Sequence, residues 1–235
     1  MHARDDGEEG VTAAVALPTL YIGNKNYSSW SLRPWLALRM AKIDFDEVLI
    51  PLGGDGYGHG RIAEVRAVSP SGRIPALRVG ELTLWDSLAI SEWAAEQRPE
   101  AGLWPSDPME RALCRSVVCE MHSSFAALRN EAGMNLRRRT GPRPWSDDAR
   151  DDIARLTSLW SELLASHDGG PFLFGARTLA DVFFTPVATR MRTYGIALDG
   201  ISARYVDRLL GDEDFREWES AALAEPWSIA STDAL

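Results

Sequence analysis

Two short motifs, Ile74-Pro75 and Asp86-Ser87, carry groups that together could bind a peptide-like anion. An X-Pro bond at the entrance of a strand is a candidate for the cis form, which would leave the N–H and C=O of Ile74 pointing outward. A helix that begins with a hydroxyl and free N–H groups binds anions. The stretch therefore predicts a backbone pairing edge beside a carboxylate pocket. The simpler alternative is a hairpin and a capped helix without a ligand.

The elements that must position these motifs follow from turn signals and apolar periodicity. Short apolar runs at 76–79 and 82–84, joined by Gly80-Glu81, predict a β-hairpin, and a helical pattern follows it. Upstream, the sequence predicts a strand at 20–23, a helix that starts within 27–35, a strand at 45–52 and a short helix at 61–68. The order β-α-β-α-β-β-α over residues 19–98 matches the thioredoxin-like fold.

The rest of the chain is predicted to be helical after a linker at 99–107, which breaks the preceding helix. We expect a long helical stretch at 108–139 with a break near Gly133, a helix capped by Ser146 that ends near 166, a buried helix at 179–194, and two shorter helices near 201–210 and 214–223. The predicted fold class is α/β plus all-α. A disordered tail at 1–17 precedes a thioredoxin-like domain at 18–98, and a helical bundle at 108–235 follows it.

The composition of this 235-residue chain bounds its class and partners. A net charge of −9 argues against nucleic acid as the main partner. No apolar run approaches the ~20 residues that a membrane span needs, and residues 1–17 lack the basic start and apolar core of a signal peptide. Cys114 and Cys119 fall on different faces of a predicted helix, which favours two unpaired, core-filling residues in a reducing cytoplasm. The histidines show no metal-ligand spacing, so no metal is expected.

The two motifs resemble those of the glutathione transferases. In that family a cis-proline loop pairs with the cysteinyl backbone of glutathione, and an acidic-Ser pair at the next helix start binds the γ-glutamyl end. Ile74-Pro75 matches the first motif and Asp86-Ser87 the second, although the family more often has Glu or Gln at the position of Asp86. The predicted order of elements extends the resemblance beyond the motifs.

The family also places Ser, Tyr or Cys at the start of the first helix, where it stabilises the glutathione thiolate. Residues 27–31 read Tyr-Ser-Ser-Trp-Ser, which resembles the Ser-Ser-Cys-Ser-x-Arg signature of the zeta class with Trp30 in place of Cys. Lowering a thiol pKa from about 8.5 to about 6.5 takes roughly 2.7 kcal/mol, which a hydroxyl donor and a helix N-terminus can supply. The resemblance implies that Ser29 is the first candidate for the thiolate partner, Ser28 the second and Tyr27 the third. The alternative is that these serines only cap the helix. The missing cysteine argues against thiol–disulfide exchange.

Further residues receive roles from the same resemblance. His59, in the glycine-rich loop at 53–60, stands where the family often has Gln, His or Lys against the glycine end of glutathione; a solvated loop histidine is the alternative. Arg73 either binds a carboxylate or is a surface charge. A second-substrate pocket is expected between the domains, with Tyr27, Met121 and Phe125 as its residues and His122, Arg129 and Met134 as further candidates. A Met/Phe stripe that packs in the core is the alternative.

The resemblance implies a cytoplasmic, homodimeric glutathione transferase of the serine type. Glutathione would be the cosubstrate, and the thiolate would add to a small electrophile or serve in an isomerisation. The alternative is a non-catalytic member that binds glutathione or hydrophobic ligands. The zeta-like motif suggests maleylacetoacetate-type isomerisation, whereas the missing cysteine and Asp86 argue against that subfamily.

Overall fold

The computed structural model describes residues 16–54 and 57–235. Residues 1–15 of the predicted tail therefore lie outside the described residues. The first part of the described chain contains β1 (Thr19–Ile22), α1 (Ser29–Met40), β2 (Asp46–Leu49), α2 (Ala63–Val68), β3 (Ala76–Val79), β4 (Leu82–Trp85) and α3 (Ser87–Gln97). The sheet order is β2-β1-β3-β4, with β1 parallel to β2 and the other two pairings antiparallel. The predicted thioredoxin-like order is confirmed, although the second strand is shorter than predicted.

A 3₁₀ turn at Pro99–Ala101 leads to the helical part of the molecule. Its helices are α4 (Pro108–Ser123), α5 (Ala126–Glu131), α6 (Asp147–Ser166), α7 (Leu179–Thr193), α8 (Gly200–Leu210), α9 (Glu213–Ala224) and α10 (Ala230–Asp233). Helix α7 is buried along its length except at Arg192, as its apolar sequence predicts. Asp181 caps it by accepting from the Thr178 N–H at 2.8 Å, and burial raises the pKa of this carboxyl. Within the described residues, no helix has both the length and the apolar character to span a bilayer.

The structure differs from the predicted helices in two places. The stretch at 108–139 has an additional break at Phe125, which has a φ of 63°, before α5 ends at Glu131, close to the predicted break near Gly133. The Phe125 ring is only 5% exposed, so the chain turns in a left-handed conformation while the ring packs in the core. Helix α10 was missed because its four residues are too few to show a periodicity.

The two cysteines differ in environment, and the core-filling prediction holds for one of them. Cys114 is buried near Thr178, and burial raises the pKa of its thiol to about 12. Cys119 is exposed on the same helix, because a spacing of five residues turns the two side chains to different sides. Both thiols are free.

Helices α1 and α7 pack on each other where the sheet-bearing and helical parts meet, and both are almost wholly buried. One apolar core extends from Leu20 and Leu77 in the sheet through Leu36 in α1 to Val117 and Phe183 in the helical part. Burial of this continuous core supplies the main force that holds the two parts together. The first turn of α1 is therefore held from both sides.

Candidate functional site

A cavity of about 300 Å³ lies where the start of α1, the glycine-rich loop, the turn before β3 and the start of α3 converge. Predicted ligand residues from both motifs line it, namely Arg73, Ile74, Pro75, Asp86 and Ser87. The structure thus brings two separate sequence motifs to one concave surface. A volume of this size suits a small-molecule ligand.

The Ile74–Pro75 peptide bond is cis, and it lies at the entrance of β3 as predicted. Pairing within the sheet begins one residue later, at Ala76, which faces Tyr21 on β1 and Trp85 on β4. Ile74 therefore stands just outside the strand ladder and beside the cavity, where its backbone is in position to pair with an extended ligand.

The glycine-rich loop approaches this turn closely. A Cβ atom at Gly72, whose φ is 66°, would lie 2.6 Å from the carbonyl oxygen of Gly60, so only glycine allows this approach. Gly58 and Gly60 line the cavity, whereas the side chain of His59 between them is exposed. The predicted contact of His59 with the glycine end of glutathione would therefore have to come from a side chain that is exposed and does not line the cavity.

At the start of α3, the Asp86 side chain has hydrogen-bond partners in the protein, whereas the Ser87 hydroxyl has none among the described residues. Asp86 takes a φ of 78° and caps the helix by accepting from the Leu88 N–H at 2.8 Å. Its second carboxylate oxygen lies 3.2 Å from His122 Nε2. Burial opposes ionisation of Asp86, but the hydrogen bonds from His122 and Leu88 hold the pKa of the carboxyl below its usual value. Ser87 is fully buried, and its hydroxyl has no hydrogen-bond partner among the described residues.

The serines at the start of α1 have protein partners. Ser28 Oγ donates to Ser31 Oγ at 2.8 Å and accepts from the Ser31 N–H at 3.3 Å, so it caps the helix. Ser29 Oγ accepts from Nη2 of Arg190, on α7, at 3.2 Å. The Ser28 hydrogen is therefore used within the helix cap, whereas the bond from Arg190 leaves the Ser29 hydrogen unused. Neither serine is among the residues that line the cavity, whereas the next residue, Trp30, is.

A cluster of three arginines lies behind these serines. Arg33 is fully buried between the rings of Trp30 and Phe183, at 4.4 and 5.1 Å from their centroids, and its guanidinium has no hydrogen-bond partner among the described residues. Burial, with Arg129 and Arg190 nearby, holds its pKa well below the usual value. Burial also lowers the pKa of Arg190 to about 9, so Arg190 carries a positive charge at neutral pH.

The residues predicted for a second-substrate pocket lie elsewhere. Met121 and Phe125 pack in the apolar core, 1% and 5% exposed, and are not among the residues that line the cavity. The Tyr27 hydroxyl donates to the carboxylate of Asp233, in α10, at 2.9 Å. The further candidate His122 does reach the site, because it contacts Asp86 and packs edge-on against Trp30.

The C-terminal segment holds the loop that precedes the serines. The Glu225 carboxylate accepts from the backbone N–H groups of Lys25 and Asn26, at 2.6 and 3.1 Å. Trp218 donates to the carbonyl of Lys25 at 3.0 Å. Together with the Tyr27–Asp233 bond, these contacts fix the path of the chain into α1.

Sequence reasoning missed several residues of this site. Tyr57 lines the cavity and was not predicted, and Trp30 was considered mainly as the residue in place of a cysteine. Arg190 could have been noticed in the sequence, because it is a charged residue in a helix predicted to be buried on nearly all sides. The sequence gives no indication of the role of Glu225, since its partners are about 200 residues away in the chain. Across the part of the chain that the structure describes, no cluster of three His, Cys, Asp or Glu side chains forms a candidate metal site.

Comparison with known proteins gives consistent matches. Residues 27–97 match the family model for the glutathione S-transferase N-terminal domain. The chain is 32% identical over 178 residues to a Drosophila melanogaster protein named probable maleylacetoacetate isomerase 1, a match that covers 75% of this chain and 70% of that protein. It is 32% identical over 190 residues to maleylacetoacetate isomerase of Pseudomonas aeruginosa, covering 77% of this chain and 84% of the relative.

A solved structure shares the fold. A glutathione transferase homologue from Burkholderia, crystallised with bound glutathione, superposes with a TM-score of 0.68 at 22% identity. The match covers 89% of this chain and 99% of that one.

Proposed function

The chain belongs to the glutathione S-transferase family, and from this premise we propose that its cavity binds glutathione as the cosubstrate of a transferase or isomerase reaction. One observation carries the proposal: Ile74-Pro75 and Asp86-Ser87 line the same cavity, and the buried Ser87 hydroxyl faces no protein partner among the described residues. A buried hydroxyl without a partner costs free energy, which a ligand group that bonds to it would recover.

Each lining group has a part of glutathione that it suits. The backbone of Ile74 pairs with the cysteinyl N–H and C=O, since it lies just outside the strand ladder. The Ser87 hydroxyl, at the start of α3, binds the γ-glutamyl carboxylate, while Asp86 accepts from its ammonium group. Arg73 pairs with the carboxylate at the glycine end, and the proposed contact of His59 with that end requires the loop to turn its side chain inward.

Ser29 is the proposed partner of the thiolate. Its hydrogen is not used in the bond from Arg190, so it can donate to sulfur at the start of α1. A thiolate so stabilised adds to a small electrophile, forming a carbon–sulfur bond. If it adds reversibly to a cis double bond, rotation and loss of the thiolate give the trans isomer. The names of the two relatives at 32% identity support the isomerisation.

Tryptophan fluorescence tests the binding, because Trp30 and Trp85 line the cavity. We expect saturable changes in emission with glutathione. The dipeptide Cys-Gly lacks the γ-glutamyl group that Ser87 is proposed to bind, so it should need a much higher concentration. If glutathione produces no saturable change, or if Cys-Gly binds as tightly, the proposed ligand site is contradicted.

A non-catalytic, glutathione-binding protein is the second candidate. It is favoured by the bonding of both serine hydroxyls to protein groups, since Ser28 caps α1 and Ser29 meets Arg190. This candidate predicts glutathione binding without thiolate absorbance in the ultraviolet. The transferase predicts both.

Homodimer formation is part of the same proposal. Apolar side chains are exposed on β4 and α4, including Leu82, Met109 and Leu113 at 53%, 79% and 50%. A second copy of this chain that covered them would remove that surface from water. Analytical ultracentrifugation should find a dimer that Leu113→Glu weakens, and a monomeric native chain would contradict it. A cytoplasmic location stays a prediction from cysteine usage.

A further inference from the structure

Arg190 is a charged residue in the most buried helix of the molecule, and its side chain is 4% exposed. Its guanidinium donates to the carbonyl oxygens of Ala132 and Pro186, at 2.8 and 3.1 Å, and to Ser29 Oγ at 3.2 Å. Two of these bonds fix the plane of the guanidinium. The third crosses from the helical part of the molecule to the first residue of α1.

The direction of the Ser29 bond determines what the hydroxyl can do. A guanidinium has donors and no acceptor, so Ser29 Oγ must accept in this pair. The hydrogen of Ser29 is then left to donate to another acceptor. Without Arg190, Ser29 Oγ would be buried without a hydrogen-bond donor, and the hydroxyl could rotate towards other partners.

The charge around the serine is unbalanced. Arg33 and Arg129 accompany Arg190, and the pKa of all three guanidinium groups is lowered mainly by burial. Around the cluster, Asp86 faces Arg33, Asp152 faces Arg129, and Tyr194 faces Arg190. His122 packs against the same Trp30 ring as Arg33. Three guanidinium groups therefore lie near two carboxylates in a low-dielectric interior, where an added anion is attracted.

We propose that Arg190 is a positioning residue for the reaction: it orients the Ser29 hydroxyl so that the hydrogen is directed to the glutathione sulfur, and it strengthens that hydrogen bond by polarising the oxygen. This role rests on the proposed function of Ser29 as thiolate partner. It assigns to the helical part of the molecule a direct influence on the ionisation of a ligand bound mainly by the sheet-bearing part.

The test measures the pKa of the bound glutathione thiol from its thiolate absorbance against pH. The proteins are the native chain, Ser29→Ala, Arg190→Gln and the double variant, each saturated with glutathione. We expect Arg190→Gln to raise the thiol pKa by about one unit. The double variant should match Ser29→Ala, because a residue that acts through Ser29 has no further effect once the hydroxyl is removed.

Arg192→Gln is the matched control. Arg192 lies on the same helix and pairs with Glu219, away from Ser29, so its loss should leave the thiol pKa unchanged. Glutathione affinity, measured by fluorescence, should also stay within about twofold of the native value in Arg190→Gln, since the group does not line the cavity.

The outcomes separate the two proposals. If Ser29→Ala raises the thiol pKa and Arg190→Gln does not, the role of Arg190 is contradicted while the proposed function stands. If the two substitutions raise the pKa additively, Arg190 acts independently of Ser29 and the proposal is overturned. If Ser29→Ala changes nothing although glutathione binds, the serine role itself fails.

A second variant keeps the test valid if Arg190→Gln does not fold, as the loss of its bonds to Ala132 and Pro186 could cause. Arg190→Lys keeps the positive charge, but its single nitrogen cannot reproduce the three positions from which Nε, Nη1 and Nη2 donate. We expect a folded Arg190→Lys protein, checked by its thermal transition, to show a raised thiol pKa. A native thiol pKa in this variant would contradict orientation by the guanidinium.

Discussion

The starts of α1 and α3 are alike in sequence, since each begins with a polar cap followed by a serine at the first helical position, and they differ in what the structure does with that serine. At α3, Asp86 makes the cap and Ser87 stays buried without a protein partner among the described residues. At α1, Ser28 makes the cap and Ser29 is held by Arg190. From this comparison we propose a division of labour in which α3 binds glutathione and α1 sets the ionisation of its thiol.

The largest expected effect comes from the free hydroxyl at α3. Ser87→Ala should weaken glutathione binding about 10- to 100-fold, because a hydrogen bond to a charged group contributes about 1.5–3 kcal/mol. Without glutathione, the free energy of unfolding should rise by about 1 kcal/mol, since the substitution removes a buried hydroxyl that has no protein partner among the described residues. Calorimetric titration and urea unfolding measure the two quantities.

Ser91→Ala is the control for this variant. Ser91 lies one turn further along α3, is also buried, and donates to the carbonyl of Ser87 at 2.8 Å. Its loss should affect stability more than affinity. If Ser87→Ala and Ser91→Ala have the same effect on glutathione affinity, the special status of Ser87 is refuted.

The loop that leads into α1 should depend on the C-terminal segment. Glu225→Ala leaves the N–H groups of Lys25 and Asn26 without their acceptor, so we expect a loss of about 2 kcal/mol in the free energy of unfolding. Glu217→Ala, on the exposed side of α9 where it pairs with Arg39, should change it by less than about 0.5 kcal/mol. Equal losses in the two variants would show that the contact does not hold the loop.

The cap at α1 should contribute to stability and not to binding. Ser28→Ala removes the acceptor of the Ser31 N–H, for an expected loss of about 1 kcal/mol in the free energy of unfolding. Glutathione affinity should stay at the native value. A drop in affinity comparable to that of Ser87→Ala would remove the contrast between the two helix starts.

The smallest effect concerns the cap at α3 and its pH dependence. Because the pKa of Asp86 is lowered in the folded state, its ionised form stabilises the fold above the unfolded pKa of about 3.9, and this stabilisation is lost as the pH falls through the folded pKa. Asp86→Asn keeps a side chain that caps and tolerates the positive φ. The difference in urea midpoint between native and Asp86→Asn should be largest near neutral pH and vanish near pH ~2. A difference that grew with acidity would contradict the sign of the shift.

The sequence predicted those parts of the site that depend on local chemistry. The hairpin, the cis peptide bond at Pro75 and the cap at Asp86 follow from residues within one or two turns of each other. These features need no knowledge of the distant chain, and so they could be read from residue types alone.

The sequence could not predict features that depend on distant partners. Phe125 takes a left-handed conformation between α4 and α5, and it is buried in a core assembled from other helices. Whether Ser29 is free or bonded is decided by Arg190, which lies 161 residues away. The orientation of Met121 into the core, and of His122 towards Asp86, depends on how α4 packs against α1 and α7. Periodicity predicts that such helices have a buried face, but it does not say which residues meet across it.

One experiment tests the division of labour directly: Ser87→Ala and Ser29→Ala are each compared with the native chain for glutathione affinity and for thiolate absorbance at saturating glutathione. We predict that Ser87→Ala lowers the affinity and keeps the thiolate absorbance, whereas Ser29→Ala keeps the affinity and loses the thiolate at neutral pH. If both variants change the same quantity, or if Ser29→Ala ionises the thiol as well as the native chain does, the account is contradicted.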